Sequence, residues 1–409
     1  MSTAASPPPS ADHELLAINA INAINALARA GNFDAAVARL QSRIDAHPGD
    51  HAAWHQLARI EAQRRRNMRA LKAAQRAAKL APDNAVYQRH LGLALANAGA
   101  GKEAMSILTP IVEANAEDYL AMHALHIACY KAGDAAHTLK WGGRMLALED
   151  RLQIPRTLAL PADTALPARK GRQKLIAYSL WGAKPAYNMG AMVNARIAHF
   201  IYPGWTSRFY LAADVPAATR QALLAAGAQV VDAWLRHPGV SPSMWRFLPA
   251  DDANVGVFIC RDCDSRLSPK EAAAVDAWLA SGKWGHVMRD HLIHRNVMLA
   301  GLWGARNDGD GERRLFMRRR LQRFLKGQSD ARHGADQHFL AKEIWPVLRD
   351  NCCVHDSYYP LFGAQPFPVM SKGNDRFHVG MSVMREESIK REAQLLGLTW
   401  PVTASGENG

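Results

Sequence analysis

A period of 34 residues runs through the first third of the chain and limits how that region can fold. Alanine, leucine and proline return to the same places in successive periods, and glycine does so with Arg65 as its exception. A period of this length indicates paired antiparallel helices that stack into a solenoid. Small residues let paired helices approach closely, and leucines fill the groove between them. The recurring positions are Ala36, Ala70, Ala104, Leu57, Leu91, Leu125, Pro48, Pro82, Gly31, Gly99 and Gly133.

Two segments of this region, HPGDHAAWHQLARIEAQ and APDNAVYQRHLGLALANAGAGKEA, resemble tetratricopeptide repeats. The resemblance extends over residues 18–150. Thr138 and Gly142 replace the small and bulky residues expected in the last unit, which indicates a degenerate capping repeat. The resemblance implies a concave surface that binds a peptide or a protein partner. A spacer or a dimerisation unit remains equally open.

The rest of the chain predicts a second domain and a soluble protein. The 409 residues are 48% hydrophobic, enough for two cores. No run of about 18 apolar residues occurs and the start lacks signal-peptide features, so we expect a cytoplasmic protein. We predict a disordered tail at 1–17, a proline-containing linker at 151–172 and a second tail at 396–409. The five cysteines, without a secretion signal, predict reduced thiols.

The net charge of +13 and the isoelectric point near 9.7 predict attraction to an anionic partner. Basic residues cluster at 64–66 and at 313–326, where RRLFMRRRLQRFLK interleaves arginines with apolar side chains. The second cluster reads as a solvated amphipathic helix packed on the core, with docking at the inner membrane surface as the alternative. Nucleic acid is not an expected partner, because an aromatic and basic binding platform is missing from the sequence.

After the linker, short apolar runs alternate with helical ones, which predicts a parallel-rich α/β sheet. Ligands bind such sheets beyond the carboxyl ends of their strands. The first such end lies in IAYSLWG, where Tyr178, Ser179 and Trp181 are candidate donor-binding residues.

The second strand end follows VGVFI and reads RDCDSR. Alternation along a strand places Asp262 and Asp264 on the same side, with Cys263 opposite. Two close carboxylates repel unless a cation lies near them, and their hard oxygens suit Mg²⁺ or Mn²⁺. Arg261 is a candidate for holding the carboxylates or a phosphate. Ser268 is predicted to cap a helix that begins at Pro269.

Several ordered blocks, MWRFLPADD, RDCDSR, GHVMRDHLIH and GLWGAR, resemble the nucleotide-sugar-binding core of bacterial GT-A glycosyltransferases. We therefore expect a GT-A (Rossmann-like) domain over residues 173–395, of the type associated with polysaccharide biosynthesis. The resemblance implies that Asp262 and Asp264 bind Mn²⁺ or Mg²⁺ together with the diphosphate of a nucleotide-sugar donor. The implied activity is transfer of a sugar to a glycan or lipid-linked acceptor.

Further site residues follow from the same resemblance. Asp336 and Gln337, at the start of an amphipathic helix, are the catalytic candidates, with plain helix capping as the alternative for Asp336. His355 is the candidate for completing the metal shell. Trp303 is a candidate for stacking on a sugar ring, and a place in the core is the alternative. The remaining donor or substrate candidates are Arg246, Arg289, Asp290 and His291.

Two other functions remain open. A noncatalytic scaffold would use the repeats to bind a partner and would keep an inactive transferase-like domain. A zinc site would draw on Cys260, Cys263, Cys352, Cys353 and His355. Strand alternation argues against zinc, because it puts Cys260 and Cys263 on opposite sides.

Overall fold

The computed structural model describes residues 22–28, 30–152, 172–307, 315–326, 334–369, 372–374 and 376–398. The chain divides into two compact units, Met1–Trp141 and Gly142–Gly409. The tail predicted at 1–17, residues 153–171 of the predicted linker and residues 399–409 of the second tail lie outside the described residues.

The first unit is built of helices only among its described residues. Consecutive helices pack against each other in pairs, as the 34-residue period predicts. They are α1 (22–28), α2 (Phe33–Ala46), α3 (His51–Gln63), α4 (Asn67–Leu80), α5 (Ala85–Asn97), α6 (Gly101–Ala114), α7 (Tyr119–Lys131) and α8 (Ala135–Leu152), which crosses into the second unit.

The recurring residues of the period take the places predicted for them. Ala36, Ala70 and Ala104 are buried between helices. Gly31, Gly99 and Gly133 all have positive φ angles at the turn between paired helices, and Arg65 takes the same conformation at φ 57°. A further recurrence went unnoticed in the sequence, since Asp50, Asn84 and Asp118 each cap the next helix with a side-chain oxygen.

The second unit alternates strands and helices around one sheet. Its strands are β1 (Gln173–Leu180), β2 (Thr206–Leu211), β3 (Gln229–Asp232), β4 (Val255–Arg261), β5 (Gly285–Arg289), β6 (Trp303–Arg306) and β7 (Cys352–Asp356). Its main helices are α9 (Pro185–Ile201), α10 (Ala217–Ala225), α11 (Ala233–Arg236), α12 (Pro269–Ser281), α13 (Met317–Lys326), α14 (Ala335–Phe339), α15 (Trp345–Leu348) and α16 (Glu386–Leu395). A 3-10 helix covers Pro242–Asp251, and a π-helical segment, Leu340–Ile344, joins α14 to α15.

The sheet has the order β3-β2-β1-β4-β6-β5-β7. Its pairs are parallel except those of β6, which runs antiparallel to both β4 and β5. The chain moves outward from β1 to β3 and then returns to place β4 on the other side of β1. The sheet therefore has a topological switch point between β1 and β4, where α/β sheets bind ligands beyond their strand ends.

Both faces of the sheet are covered. On one face, α9 and α12 bury Ile176, Phe209, Ile259 and Trp278 in one core. Ser268 caps α12 by accepting a hydrogen bond from the Glu271 N–H, which confirms the predicted cap.

On the other face, Phe247 of the 3-10 helix packs against Trp303, with ring centroids 5.5 Å apart. Phe339 of α14 stacks on the same phenyl ring. These aromatic contacts fix the 3-10 helix and α14 over the end of β4. Among the described residues, no helix is both long and apolar enough to cross a membrane.

Candidate functional site

The two carboxylates of the RDCDSR segment follow a strand that is buried along its whole length. Asp262 leaves 45% of its side chain exposed, whereas Asp264 is buried. They stand at the carboxyl end of β4, beside the switch point between β1 and β4. One carboxylate is therefore open to a ligand while its neighbour is held inside the protein.

Arg246 links this strand end to two other elements. Its guanidinium contacts the Asp262 carboxylate and donates to Asp336 Oδ2 at 2.9 Å. Its backbone N–H donates to Ser179 Oγ at the end of β1, also at 2.9 Å. Burial by itself would lower the pKa of Arg246, but the charges of Asp262 and Asp336 outweigh it and raise that pKa. The arginine is thus a fixed cation shared by two predicted site residues.

The surroundings of the Asp264 carboxyl group disfavour its ionised form. Burial, and then the charge of Asp262, raise its pKa above the ordinary 3.8. A hydrogen bond from Ser382 and the charge of Arg246 oppose the shift without cancelling it. A pair of carboxylates in this condition fits a divalent cation, which would relieve both the burial and the repulsion.

Two glycines allow the chain to pass close to this strand end. A Cβ atom at Gly301 would lie 2.0 Å from Asp262 Oδ2, and one at Gly190 would lie 2.0 Å from the Cys263 carbonyl oxygen. Both positions therefore require glycine for Asp262 and Cys263 to stay where they are.

A segment near the C-terminus, residues 378–383, completes the surroundings and was missed in the sequence. The Val383 N–H donates to the Asp264 carbonyl oxygen at 2.7 Å, and Ser382 forms a β-bridge with Ser265. The Val379 N–H donates to Asp290 Oδ2 at 2.9 Å. This segment has no motif by which it could be recognised, because its contacts are with residues more than 80 positions away.

The predicted residues Asp290 and His291 lie at the same edge of the sheet, after β5. Asp290 is fully buried and accepts hydrogen bonds from Lys270 Nζ at 2.7 and 2.8 Å. His291 stacks on His378, with ring centroids 4.4 Å apart. Since Asp290 is surrounded by donors from its own chain, it anchors the edge rather than facing a substrate.

Two further candidates are engaged in the interior. Arg261 lies on the opposite side of β4 from Asp262, where it pairs with Glu271 at 3.2 Å and with the Tyr202 hydroxyl. Tyr178 lies in the core beneath α9 and stacks on Phe209. Strand alternation explains the position of Arg261, which is adjacent to Asp262 and so points away from it.

Arg289 and Trp303 are also enclosed. Arg289 pairs with Asp356 at 2.6 Å and is fully buried. Trp303 has no exposed surface and packs against Phe247 and Phe258. Trp303 therefore lies in the core, the alternative to stacking on a sugar ring.

Two predicted residues lie beside the site without a side-chain contact that identifies a role. Trp181, directly after β1, is 46% exposed. Gln337 is half-buried, and its backbone N–H donates to Asp336 Oδ1 at 2.9 Å.

His355, the predicted third metal ligand, is not brought to Asp262 and Asp264. It lies on β7, three strands from β4, which at about 4.8 Å per strand is a separation of roughly 14 Å. Its Nδ1 hydrogen bonds to His286 Nε2 at 2.8 Å and lies 3.9 Å from the Cys353 sulfur. Burial lowers the pKa of His355 to about 4.

The two cysteines at this strand end, Cys260 and Cys263, face different partners. The Cys260 thiol donates to the Arg246 carbonyl oxygen, and the Cys263 thiol donates to that of Ser179. The five thiols are free and buried. In the part of the chain that the structure describes, the one group of three or more histidine, cysteine and carboxylate ligands close enough to share a metal is His286, Cys353 and His355, so Cys260 and Cys263 do not belong to such a group.

Comparison with known proteins identifies the N-terminal repeats. A family model described as a tetratricopeptide repeat matches residues 20–60. No curated protein matches the chain.

Among solved structures, a mutant of the O-GlcNAc transferase of Thermobaculum terrenum is similar at 17% identity and a TM-score of 0.38. The match covers 62% of this chain and 47% of that one, so the chain spans about half of the transferase structure. A fragment of MamA from Desulfovibrio magneticus RS-1 is similar at 20% identity and a TM-score of 0.30, over 32% of this chain and 75% of that one.

A third similar structure is YrrB, described as a TPR protein with an unusual peptide-binding site. Its identity is 18% and its TM-score 0.28, over 33% of this chain and 73% of that one. At TM-scores below 0.5, these likenesses do not define the second unit, whereas the family match places a tetratricopeptide repeat at the N-terminus.

Proposed function

We propose that the second unit is a GT-A-like glycosyltransferase domain, which transfers a sugar from a nucleotide diphosphate donor to a glycan or lipid-linked acceptor. The observation that carries the proposal is the cluster at the carboxyl end of β4, where Arg246 joins Asp262 to Asp336. The cluster lies beside the switch point of the sheet, where α/β proteins bind nucleotides.

Asp262 and Asp264 would hold a divalent cation, Mn²⁺ or Mg²⁺. The raised pKa of Asp264 and the exposed carboxylate of Asp262 support this assignment. When bound, the cation would supply charge neutralisation to the diphosphate leaving group. His355 is left out of the proposed cation site, because it lies on β7 and pairs with His286.

Arg246 would hold the site ready for an anion. Its guanidinium is buried and already fixed by Asp336, so little reorganisation would be needed when a diphosphate binds together with the cation beside Asp262. Asp336 would then position Arg246, and its remaining oxygen is already bonded to the Gln337 N–H. This role differs from the catalytic base expected for Asp336, since the carboxylate is engaged on both oxygens.

The first unit would bind a protein partner through its tetratricopeptide repeats, a proposal supported by the family match over residues 20–60. Such a partner would bring the transferase to its acceptor. It is also the function that would remain if the second unit were an inactive scaffold.

The proposal is tested by measuring release of nucleoside diphosphate from UDP-, GDP-, CDP- and ADP-linked sugars by the full chain. We expect release from one donor class in Mn²⁺ or Mg²⁺, loss of release in EDTA and recovery when the metal is restored. Asp262→Asn and Asp264→Asn should each lower the rate by about 100-fold or more, the scale for losing charge stabilisation in a transition state.

The matched control is Asp276→Asn, an exposed residue of α12 in the same unit. It removes the same charge by the same substitution and should leave the rate unchanged. Absence of release from every donor, with the chain folded and a partner still bound by the repeats, would favour the scaffold. Equal loss in all three variants would show an effect of net charge alone.

A further inference from the structure

Three large apolar side chains are exposed on one region of the second unit. Trp234 and Leu235 of α11 are 45% and 60% exposed, and Phe316, just before α13, is 42% exposed. Phe316 also has a positive φ of 47°, a conformation that costs a bulky residue free energy. The fold thus holds a phenyl ring out in solvent at some expense, as expected when the ring has a binding role.

The charged groups around these side chains are basic. Within the described residues, no carboxylate pairs with Arg236 or with three of the exposed cations of α13, Arg318, Arg319 and Lys326. Three described acidic residues lie nearby and are occupied. Asp232, directly before α11, pairs with Arg220. Asp251 accepts from the backbone N–H groups of Met317 and Arg318, and Glu343 pairs with Arg320 and Arg323.

The two parts of this region are neighbours. Both α11 and α13 pack against the 3-10 helix Pro242–Asp251, and Asp251 caps the start of α13. His237, directly after α11, lies near enough to Arg318 and Arg236 for burial and then those two charges to lower its pKa. The exposed apolar side chains and these exposed basic side chains therefore belong to one surface, which we call the α11–α13 surface.

We propose that the α11–α13 surface docks the protein on an anionic lipid bilayer. An indole, an aliphatic chain and a phenyl ring can enter the interface between headgroups and acyl chains, while the surrounding guanidinium groups bind lipid phosphates. A solvated helix face needs no exposed Trp234, Leu235 and Phe316, and a protein partner of neutral surface would supply no counter-charge to the four cations. The combination of exposed apolar and basic side chains therefore fits an anionic lipid surface better than it fits a solvated helix face or a neutral protein partner.

The surface is also placed to serve the candidate site, because the 3-10 helix beneath it carries Arg246. Docking would hold the end of β4 near the membrane, where lipid-linked substrates are found. The inference does not depend on transferase activity, since binding of lipid is measured without turnover.

The test is cosedimentation of the full chain with vesicles of phosphatidylcholine alone or with 30 mol% phosphatidylglycerol, a composition of roughly the charge that attracts basic segments. We expect binding to the anionic vesicles only. Arg318→Gln with Arg319→Gln should weaken it about 25-fold, since each basic residue near such a surface contributes roughly fivefold. Trp234→Ser with Leu235→Ser should weaken it as well, with net charge unchanged.

The matched control is Lys72→Gln with Lys79→Gln, two exposed residues of α4 that carry the same total charge. This variant should bind as the wild type does. Equal weakening in both double variants would show attraction by net charge and would overturn the proposal, as would absence of binding to the anionic vesicles. Binding unaffected by the Trp234 and Leu235 changes would also overturn it, because docking requires the apolar side chains.

Discussion

Asp264 is the residue whose protonation should couple the candidate site to pH. Burial and the charge of Asp262 raise its pKa, so the folded protein holds this proton more tightly than the unfolded chain does. Stability is therefore lost as the pH rises from about 3.8 through the higher folded pKa, and the loss persists above it. A cation bound at the site would restore that stability at neutral pH.

Replacing this carboxyl group should stabilise the metal-free protein. We predict that Asp264→Asn has a higher free energy of unfolding than the wild type at pH 7, because the amide removes the buried charge and keeps an acceptor for Ser382. The difference should shrink as the pH falls toward 3.8. Urea unfolding in EDTA across this range measures it, with Asp276→Asn as the control that should follow the wild type. If Asp264→Asn were less stable than the wild type at pH 7, the buried charge of Asp264 would not be destabilising the metal-free protein.

Arg65 occupies the position in the repeat that glycine fills in the neighbouring units. A left-handed conformation costs an ordinary residue roughly 1–2 kcal/mol, part of which glycine returns as backbone entropy. We predict that Arg65→Gly raises the free energy of unfolding by about 1 kcal/mol, measured by helical circular dichroism.

The converse variant provides the control for this change. Gly99 has a φ of 92° and no atom close to where a Cβ would lie, so Gly99→Ala alters conformation without a clash. It should lower stability by about 1 kcal/mol. If Arg65→Gly and Gly99→Ala changed the free energy of unfolding in the same direction, the left-handed backbone conformation would not be what determines stability at these two positions.

At the scale of elements, the loop before β6 fixes the end of β4. A Cβ at Gly301 would meet the Asp262 carboxylate at 2.0 Å, so Gly301→Ala must displace that group. We predict that this substitution weakens metal-dependent nucleotide binding by at least about tenfold, since metal sites tolerate little displacement of their ligands. Titration calorimetry with Mn²⁺ and a nucleoside diphosphate measures the effect.

A glycine elsewhere serves as the matched control. Gly49 has open space around it and an ordinary φ, and Gly49→Ala should bind as the wild type does. Binding retained in Gly301→Ala would show that Asp262 is not a ligand at the position described.

Local patterns predict the elements well in this chain, because their causes lie within a few residues. The 34-residue period predicts the paired helices and the turn at Arg65, and the capping residue Ser268 predicts the start of α12. Strand alternation separates Cys260 from Cys263. The same alternation, applied to Arg261, places it opposite Asp262, so its position was available from the sequence.

Contacts between distant residues account for what the sequence could not provide. Asp336 meets Arg246 across 90 positions, and Val379 meets Asp290 across 89. The strand order sends His355 to the far side of the sheet, a consequence of the two crossings that place β6 and β5 between β4 and β7. Such contacts depend on the tertiary fold of the whole unit, and no short sequence motif encodes them.

For the whole molecule, the charge of +13 gives the protein an attraction to anions that acts before any specific contact forms. A nucleoside diphosphate and an anionic lipid surface are both attracted by this net charge. Reversing the charge of any exposed residue would change the strength of that attraction. Specific binding at the end of β4 must therefore be distinguished from it by its dependence on a divalent cation and on two particular carboxylates.

The most direct measurement is titration calorimetry of the full chain with UDP, GDP, CDP and ADP, each with and without Mn²⁺. We predict binding of one diphosphate that requires Mn²⁺, disappears in Asp264→Ala and persists in the control Asp276→Ala. Binding that is equal without Mn²⁺ or in both variants would reflect net charge. Binding of none of the four under any condition would contradict a nucleotide-sugar site at Asp262 and Asp264.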